Sequence, residues 1–389
     1  MFKKHHIKIS FLNFLISATV LGYLHIYINA VGKNAFWDME TILNSHPRCF
    51  TEWGIKTFVN AAPNINFQDG CSGLNYGLLS MPLYQGMASI STDPFIWVMA
   101  LVVTILLLTY FISPKIFLNS IFSILVFFSP PFILLIKTGN PDLINLPGVM
   151  ILGIFLFRNQ TFAFIILASL ITLHKFYGLV FFVIYVVLFI NRSSLLIKIK
   201  YLIVALLTFS LLAYQFLVLG VRKFTDAASN HYGIAIWDNY LRKVNIDLDE
   251  SLVHVMGILS LIYLAHILLK FQKKDEILER PTVQFYVSFV CYLVFVFSYI
   301  LVNNVDYRLI FLMFAIYFDF NHYFQRAKIP FLILFFVSIY ASYPVANLKL
   351  MSIIPVQVFG DVALHILVSY LLVRIARMSL VILKDTKLV

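Results

Sequence analysis

Two acids follow the first apolar run of this chain within a turn or two: Asp38 and Glu40. A carboxylate at a membrane–water boundary is placed to take a proton from a hydroxyl. Residues two apart point to different faces of a helix, so only one of the pair faces a pocket. Asp38, behind Phe36 and Trp37, is the expected base, with Glu40 its neighbour. The competing role for either acid is a helix cap or a solvated loop residue.

Five cations share a second kind of position. Lys137, Lys175, Arg222, Lys223 and Arg308 fall in or beside segments expected outside the membrane, against the usual charge bias. Together they can surround a phosphate, with Arg binding its oxygens bidentately and Lys acting as a point charge. Any one of them alone is better explained by snorkelling or by a salt bridge; Asp306, for example, can pair with Arg308 or Lys175. Gly139-Asn140-Pro141-Asp142 reads as a tight turn between two spans. Its Asn140 and Asp142 either cap the next helix or hold a sugar or phosphate. There is no Walker-type loop, no HExxH and no CxxC pair, and no transition-metal site is expected. His5 and His6 lie in a basic tail and read as solvated.

The elements that position these residues are membrane helices. Of 389 residues, 61% are hydrophobic and 12% charged, about half the charge of a soluble domain. Apolar runs long enough to cross hydrocarbon recur from end to end, which excludes a single anchor and a β-barrel. The expected fold is all-α: one polytopic bundle over 1–389 with about twelve spans. These are 9–31, 94–112, 116–136, 142–157, 161–173, 176–190, 199–220, 252–270, 283–302, 308–323, 329–343 and 361–378. The first is read as a retained helix, since it exceeds a signal peptide's apolar core and no convincing cleavage site closes it.

With the basic N-terminus inside, every other inside loop also carries Lys or Arg, so the net charge of +11 reflects topology and not nucleic acid. The outside segments are 32–93, 137–141, 174–175, 221–251, 303–307 and 344–360. Two are large loops packed over the bundle, 32–93 and 221–251, and Leu74 to Ile90 in the first reads as a helix lying in the interface. The second carries Asp226, His231, Trp237, Asp238, Arg242 and Lys243.

Residues 161–190 are long for one span and short for two. Gly178 and the adjacent His174 and Lys175 favour a break with two short helices over one tilted helix. Cys291 reads as inert packing. Cys49 and Cys71 share the first loop and can pair if it faces an oxidising compartment.

These motifs together resemble the GT-C class of integral-membrane glycosyltransferases, particularly the polyprenol-phosphate-mannose-dependent branch. The matching residues are Phe36-Trp37-Asp38-Met39-Glu40 after the first span, Lys137 to Leu143 after the third, His174-Lys175-Phe176-Tyr177-Gly178 after the fifth, and Tyr307-Arg308 at a late span. The resemblance implies a GT-C-like fold over nearly the whole chain. It implies inverting transfer of one sugar from a polyprenyl-phosphate carrier to a glycolipid, polysaccharide or protein. Asp38 would be the base. Lys175 and Arg308, helped by Lys137, Arg222 and Lys223, would bind the carrier phosphate. Asn140, Asp142, His174, Tyr177, Tyr307 and His231 would contact substrate. No cofactor or metal is expected, and the partners are the lipid-linked donor, membrane lipid and the acceptor.

The implied setting is a bacterial inner membrane with the site facing the periplasm; the alternative is the endoplasmic reticulum. Two other functions compete. A polymerase or ligase using a diphosphate-linked carrier would use the same outer cations. A secondary transporter or lipid flippase would need acids deep in spans, for which Asp319 is the candidate, and internal symmetry, which the sequence lacks.

Overall fold

The computed structural model describes residues 36–45, 80–113, 126–127, 129–188, 190, 193–219, 231–232, 237, 241, 248–271, 281–301, 304–305, 309–323, 334–335, 337–339 and 354–385. The chain is an α-helical membrane protein. Among the described residues five helices are long and apolar enough to cross a bilayer. The chain forms two compact units, Met1–Phe127 with Ile133–Thr225, and Phe128–Phe132 with Asp226–Val389.

The first unit opens with α1 (Trp37–Glu40), continued by a π-helical turn, Thr41–Ser45. Then come α2 (Ser80–Ile90) and α3 (Pro94–Ile112). The start of α3 is written in its sequence: Asp93 accepts a hydrogen bond from the Phe95 amide and Pro94 follows the cap. Next are α4 (Pro130–Thr138), most of which lies in this unit, and α5 (Asp142–Phe157). α6 (Thr161–His174) is followed by a 3-10 turn at Phe176–Gly178 and then by α7 (Leu179–Leu188). α8 (Leu195–Ala213) completes the unit, its end wound as a π-helix over Tyr214–Leu219.

The break within 161–190 is therefore present. Lys175 adopts extended backbone (φ −142°, ψ 130°), which ends α6. Gly178 then packs so close to Thr172 that an added Cβ would lie 2.6 Å from its amide nitrogen. No other residue fits that corner without moving the backbone.

α8 buries only Tyr201, Ala205, Thr208 and Leu212 from its α-helical part. It leaves Leu202, Leu206 and Leu207 more than half exposed. Such a stripe would aggregate in water, and it is ordinary against lipid. The Lys200 ammonium lies 4.9 Å from the centre of the Phe162 ring.

The second unit contains β1 (His231–Tyr232), α9 (Glu250–Phe271), α10 (Val283–Leu301), β2 (Asn304–Val305), α11 (Leu309–Tyr323) and α12 (Ile354–Asp385). α10 and α11 are buried along almost all of their described length, whereas α9 presents Leu259, Ile262 and Tyr263 outward. β1 and β2 pair antiparallel, His231 with Val305 and Tyr232 with Asn304. That pairing joins segments 221–251 and 303–307, both expected on the outer side.

An ion pair ties α11 to α12 within the core. Arg374 donates from Nε and Nη2 to the two carboxylate oxygens of Asp319, at 3.1 and 2.9 Å. Tyr292 of α10 donates to the same carboxylate at 3.2 Å. Both ions are buried.

The helix boundaries correct the sequence reading at one span. The expected 361–378 is a helix of 32 residues, Ile354–Asp385, so part of the expected outer segment 344–360 is helical. Apolar content marks only the stretch that lies in lipid, and a helix continues past it where its ends are polar. The expected span 9–31, most of 116–136 and much of 329–343 lie outside the described residues.

Candidate functional site

The site lies in the first unit, where the α1 turn, the α4–α5 turn, the end of α6 and the buried face of α2 meet. Phe36 is the first contact. Its φ is +64°, rare for a residue with a side chain. Its amide donates to the carbonyl of Lys137 at 2.6 Å, and its ring packs on Phe95 of α3 with centres 6.2 Å apart. These contacts fix the turn that carries Asp38. On the other side Gly139 also has positive φ, +64°, and a Cβ there would come within 2.7 Å of the Met39 Cβ. The two turns touch because residue 139 has no side chain.

Asn140 links them. Its Oδ1 accepts the Asp142 amide at 3.0 Å, an Asx turn that starts α5. That bond fixes which end of the amide is oxygen, so Nδ2 is the group that donates to Asp38 Oδ2, at 2.8 Å. Asn140 thus both caps the helix and holds the acid. Lys175 Nζ approaches Asn140 Oδ1 at 3.4 Å and makes a 2.9 Å ion pair with Asp142 Oδ1. Asp142 Oδ1 also accepts from Tyr177 Oη at 2.6 Å and from Asn145 Nδ2 at 3.2 Å. The carboxylate sits in the first turn of α5, where the helix dipole favours negative charge.

Polarity propagates further from Asp142. Asn145 Nδ2 also reaches the carbonyl of Pro141 at 3.2 Å. With its amide nitrogen facing two acceptors, its Oδ1 faces His174 Nδ1 at 2.8 Å. That ring nitrogen must therefore carry the proton. His174 Nε2 is left as the acceptor of Tyr84 Oη, at 2.8 Å. The chain runs in one direction: Tyr84 to His174 to Asn145 to Asp142, with Lys175 and Asn140 linking Asp142 to Asp38. His174, Lys175, Asp142, Asn140 and Asn145 are all buried.

Asp38 is half-buried at the open end of this chain. Burial raises its carboxyl to about 6, opposed by the Asn140 hydrogen bond and then by the Lys175 charge. The group therefore changes charge near neutral pH, which suits a base.

The structure brings together Asp38, Asn140, Asp142, His174, Lys175 and Tyr177 of the sequence candidates, with the Lys137 backbone. Glu40 is exposed on the far side of its turn, as the two-residue spacing implies. Lys175, expected at a carrier phosphate, is buried and paired with Asp142. The backbone of His231 lies in β1. Arg222, Lys223, Tyr307, Arg308, Cys49 and Cys71 lie outside the described residues.

Two site residues were not anticipated. Asn145 stands three after Asp142, on the same face of an otherwise apolar helix, and that i, i+3 polar pair was a usable signal. Tyr84 shares the buried face of α2 with Ser80, Met81 and Met87, and nothing in the sequence marks it out. The part of Leu74 to Ile90 that is described, α2, turns that face onto protein.

Among the described residues no group of three or more His, Cys, Asp or Glu could hold a metal ion. No family model, curated protein or solved structure matches this chain.

Proposed function

We propose that this chain is an inverting glycosyltransferase that moves one sugar from a polyprenyl-phosphate carrier to an acceptor hydroxyl, with Asp38 as the base. The observation that supports this best is the setting of Asp38. It is an acid outside the apolar helices, half-buried, aimed by Asn140 and raised to about 6.

In this reading the acceptor hydroxyl gives its proton to Asp38 as its oxygen attacks the anomeric carbon. The bond from that carbon to the carrier phosphate breaks, and the phosphate leaves with the electron pair. Attack and departure on opposite faces invert the centre. The charge of Lys175 is matched by Asp142, so its role is to moderate Asp38. The leaving phosphate then falls to the half-buried Lys137; Arg222, Lys223 and Arg308, expected to share it, lie outside the described residues. Preorganised cations of that kind stabilise charge where it develops. The reading carries with it the twelve-span topology, the periplasmic orientation in a bacterial inner membrane, and a glycan, glycolipid or protein acceptor.

The transporter alternative is weakened by one contact. Asp319, its candidate carrier of charge, is bound to Arg374 through both oxygens. A diphosphate-linked donor is the nearer rival, and the assay separates them. Membranes containing wild-type protein or Asp38→Asn receive labelled polyprenyl monophosphate and diphosphate sugars. Label passing from a monophosphate donor only with wild type supports the proposal. Label from the diphosphate donor alone overturns it.

A further inference from the structure

Tyr84 is 46 residues beyond Asp38 in the sequence and on a different element. Yet every bond between them has a forced direction. Remove the Tyr84 hydroxyl and His174 Nε2 loses its donor. Asn145, held by Asp142 and Pro141, keeps the ring proton on Nδ1, so Nε2 stays a buried acceptor now facing an apolar ring. The imidazole relieves that by shifting, which strains its Nδ1–H bond to Asn145 Oδ1. Asn145 moves with it, and the Asp142–Lys175 pair and Asn140 adjust. One buried hydroxyl thus bears on the geometry of the whole site.

We propose that Tyr84 and His174 are positioning residues, which hold the Asp142–Lys175 pair and Asn140 in the arrangement that aims Asp38. This rests on the glycosyl-transfer reading for its consequence in catalysis, but not for its structural content. The α2 helix of the first loop is then part of the site through the Tyr84–His174 contact with α6, and not only a packing element.

Among the described residues, the groups acting on the Asp38 carboxyl belong to the first unit. Burial raises it; the Asn140 hydrogen bond, the Lys175 charge and the Thr138 hydroxyl lower it; the Asp142 charge raises it. Loosening Asn140 and Lys175 removes the two largest lowering influences, so the carboxyl moves up.

The test uses purified full-length protein and has two independent readouts. Infrared spectroscopy with ¹³C-labelled Asp follows the carboxyl absorption that disappears in Asp38→Asn. Its titration gives the Asp38 midpoint in wild type, Tyr84→Phe and His174→Gln. Glutamine can supply one donor and one acceptor in place of the ring, so it is the conservative variant. The proposal expects Tyr84→Phe to raise the midpoint by about half a unit or more, with His174→Gln closer to wild type. In the transfer assay it expects kcat to fall about tenfold with donor KM unchanged, the acid limb of the pH profile moving with the midpoint. An unmoved Asp38 midpoint in folded Tyr84→Phe protein overturns the positioning role, whatever the activity does. If wild type transfers no sugar, the glycosyl-transfer reading falls, and the infrared midpoint still decides this proposal.

Discussion

Asn140 donates to Asp38 across 102 positions of sequence while its own oxygen starts helix α5. The side chain that begins a helix is therefore the one that aims the acid. Replacing it disturbs the turn, the acid or both, and the consequences are separable by measurement.

The pH dependence follows from the raised Asp38 carboxyl. The ionised form is the base, so activity should halve near pH 6 and fall about tenfold per unit below it. Stability moves the opposite way. A carboxyl raised above its ordinary value binds its proton more tightly in the folded state. The stability it contributes is fully present below pH 3.8 and is lost as pH rises through about 6. Through this residue alone the fold should weaken by about 3 kcal/mol across that window. Asp38→Asn should abolish the acid limb and flatten this part of the stability profile. Stability profiles of wild type and Asp38→Asn with the same slope across that window would contradict the assignment.

Asn140→Ala removes a hydrogen bond to a charged group and the Asx turn at once. Loss of the bond to Asp38 should cost about 1.5–3 kcal/mol of transition-state stabilisation, roughly a 10- to 100-fold drop in kcat/KM. Asn140→Asp keeps the turn but sets a carboxylate against Asp38, and should be at least as inactive while retaining more stability. Thermal unfolding in detergent, run beside the transfer assay, checks the split.

Gly139→Ala tests the contact between the two turns. Positive φ alone should cost about 1–2 kcal/mol, and the Cβ must also displace Met39. Destabilisation beyond that amount is expected, with kcat reduced in whatever folds. Gly86, whose Cβ would meet nothing within 4 Å, is the control: Gly86→Ala should be neutral or slightly stabilising.

The Asp142–Lys175 pair should be costly to break from one side. Lys175→Met leaves a buried carboxylate without its cation and should lose about 3–5 kcal/mol. Lys175→Met with Asp142→Asn should recover most of that stability. The double variant should still have a higher acid limb than wild type, because the cation that moderates Asp38 is gone. Full recovery of both stability and pH profile would remove Lys175 from the site.

Much of the architecture was legible because lipid imposes simple rules. Pro94–Ile112 and Asp142–Phe157 stand where apolar length and the turn residues put them. The break after His174 followed from Gly178 and the adjacent ionisable residues. The ends of α12 were not legible, since nothing apolar marks where a helix stops outside the bilayer. In the site, Asp38, Asn140, Asp142, His174, Lys175 and Tyr177 stood out as polar groups at the edges of greasy runs. Their partnerships did not. Lys175 looked like a phosphate ligand because its charge is visible in sequence, and Asp142 as its partner is visible only in space. Tyr84 was hidden for the opposite reason: a tyrosine on a mostly apolar helical face resembles packing until the ring opposite it is known.

The most direct test is transfer by purified protein of a labelled sugar from a polyprenyl monophosphate donor, comparing wild type with Asp38→Asn and reading the anomeric configuration of the product. The account predicts transfer with inversion by wild type and a loss of about 10²–10⁴-fold in a folded Asp38→Asn protein. Retained configuration, or equal turnover by the two proteins, would contradict it.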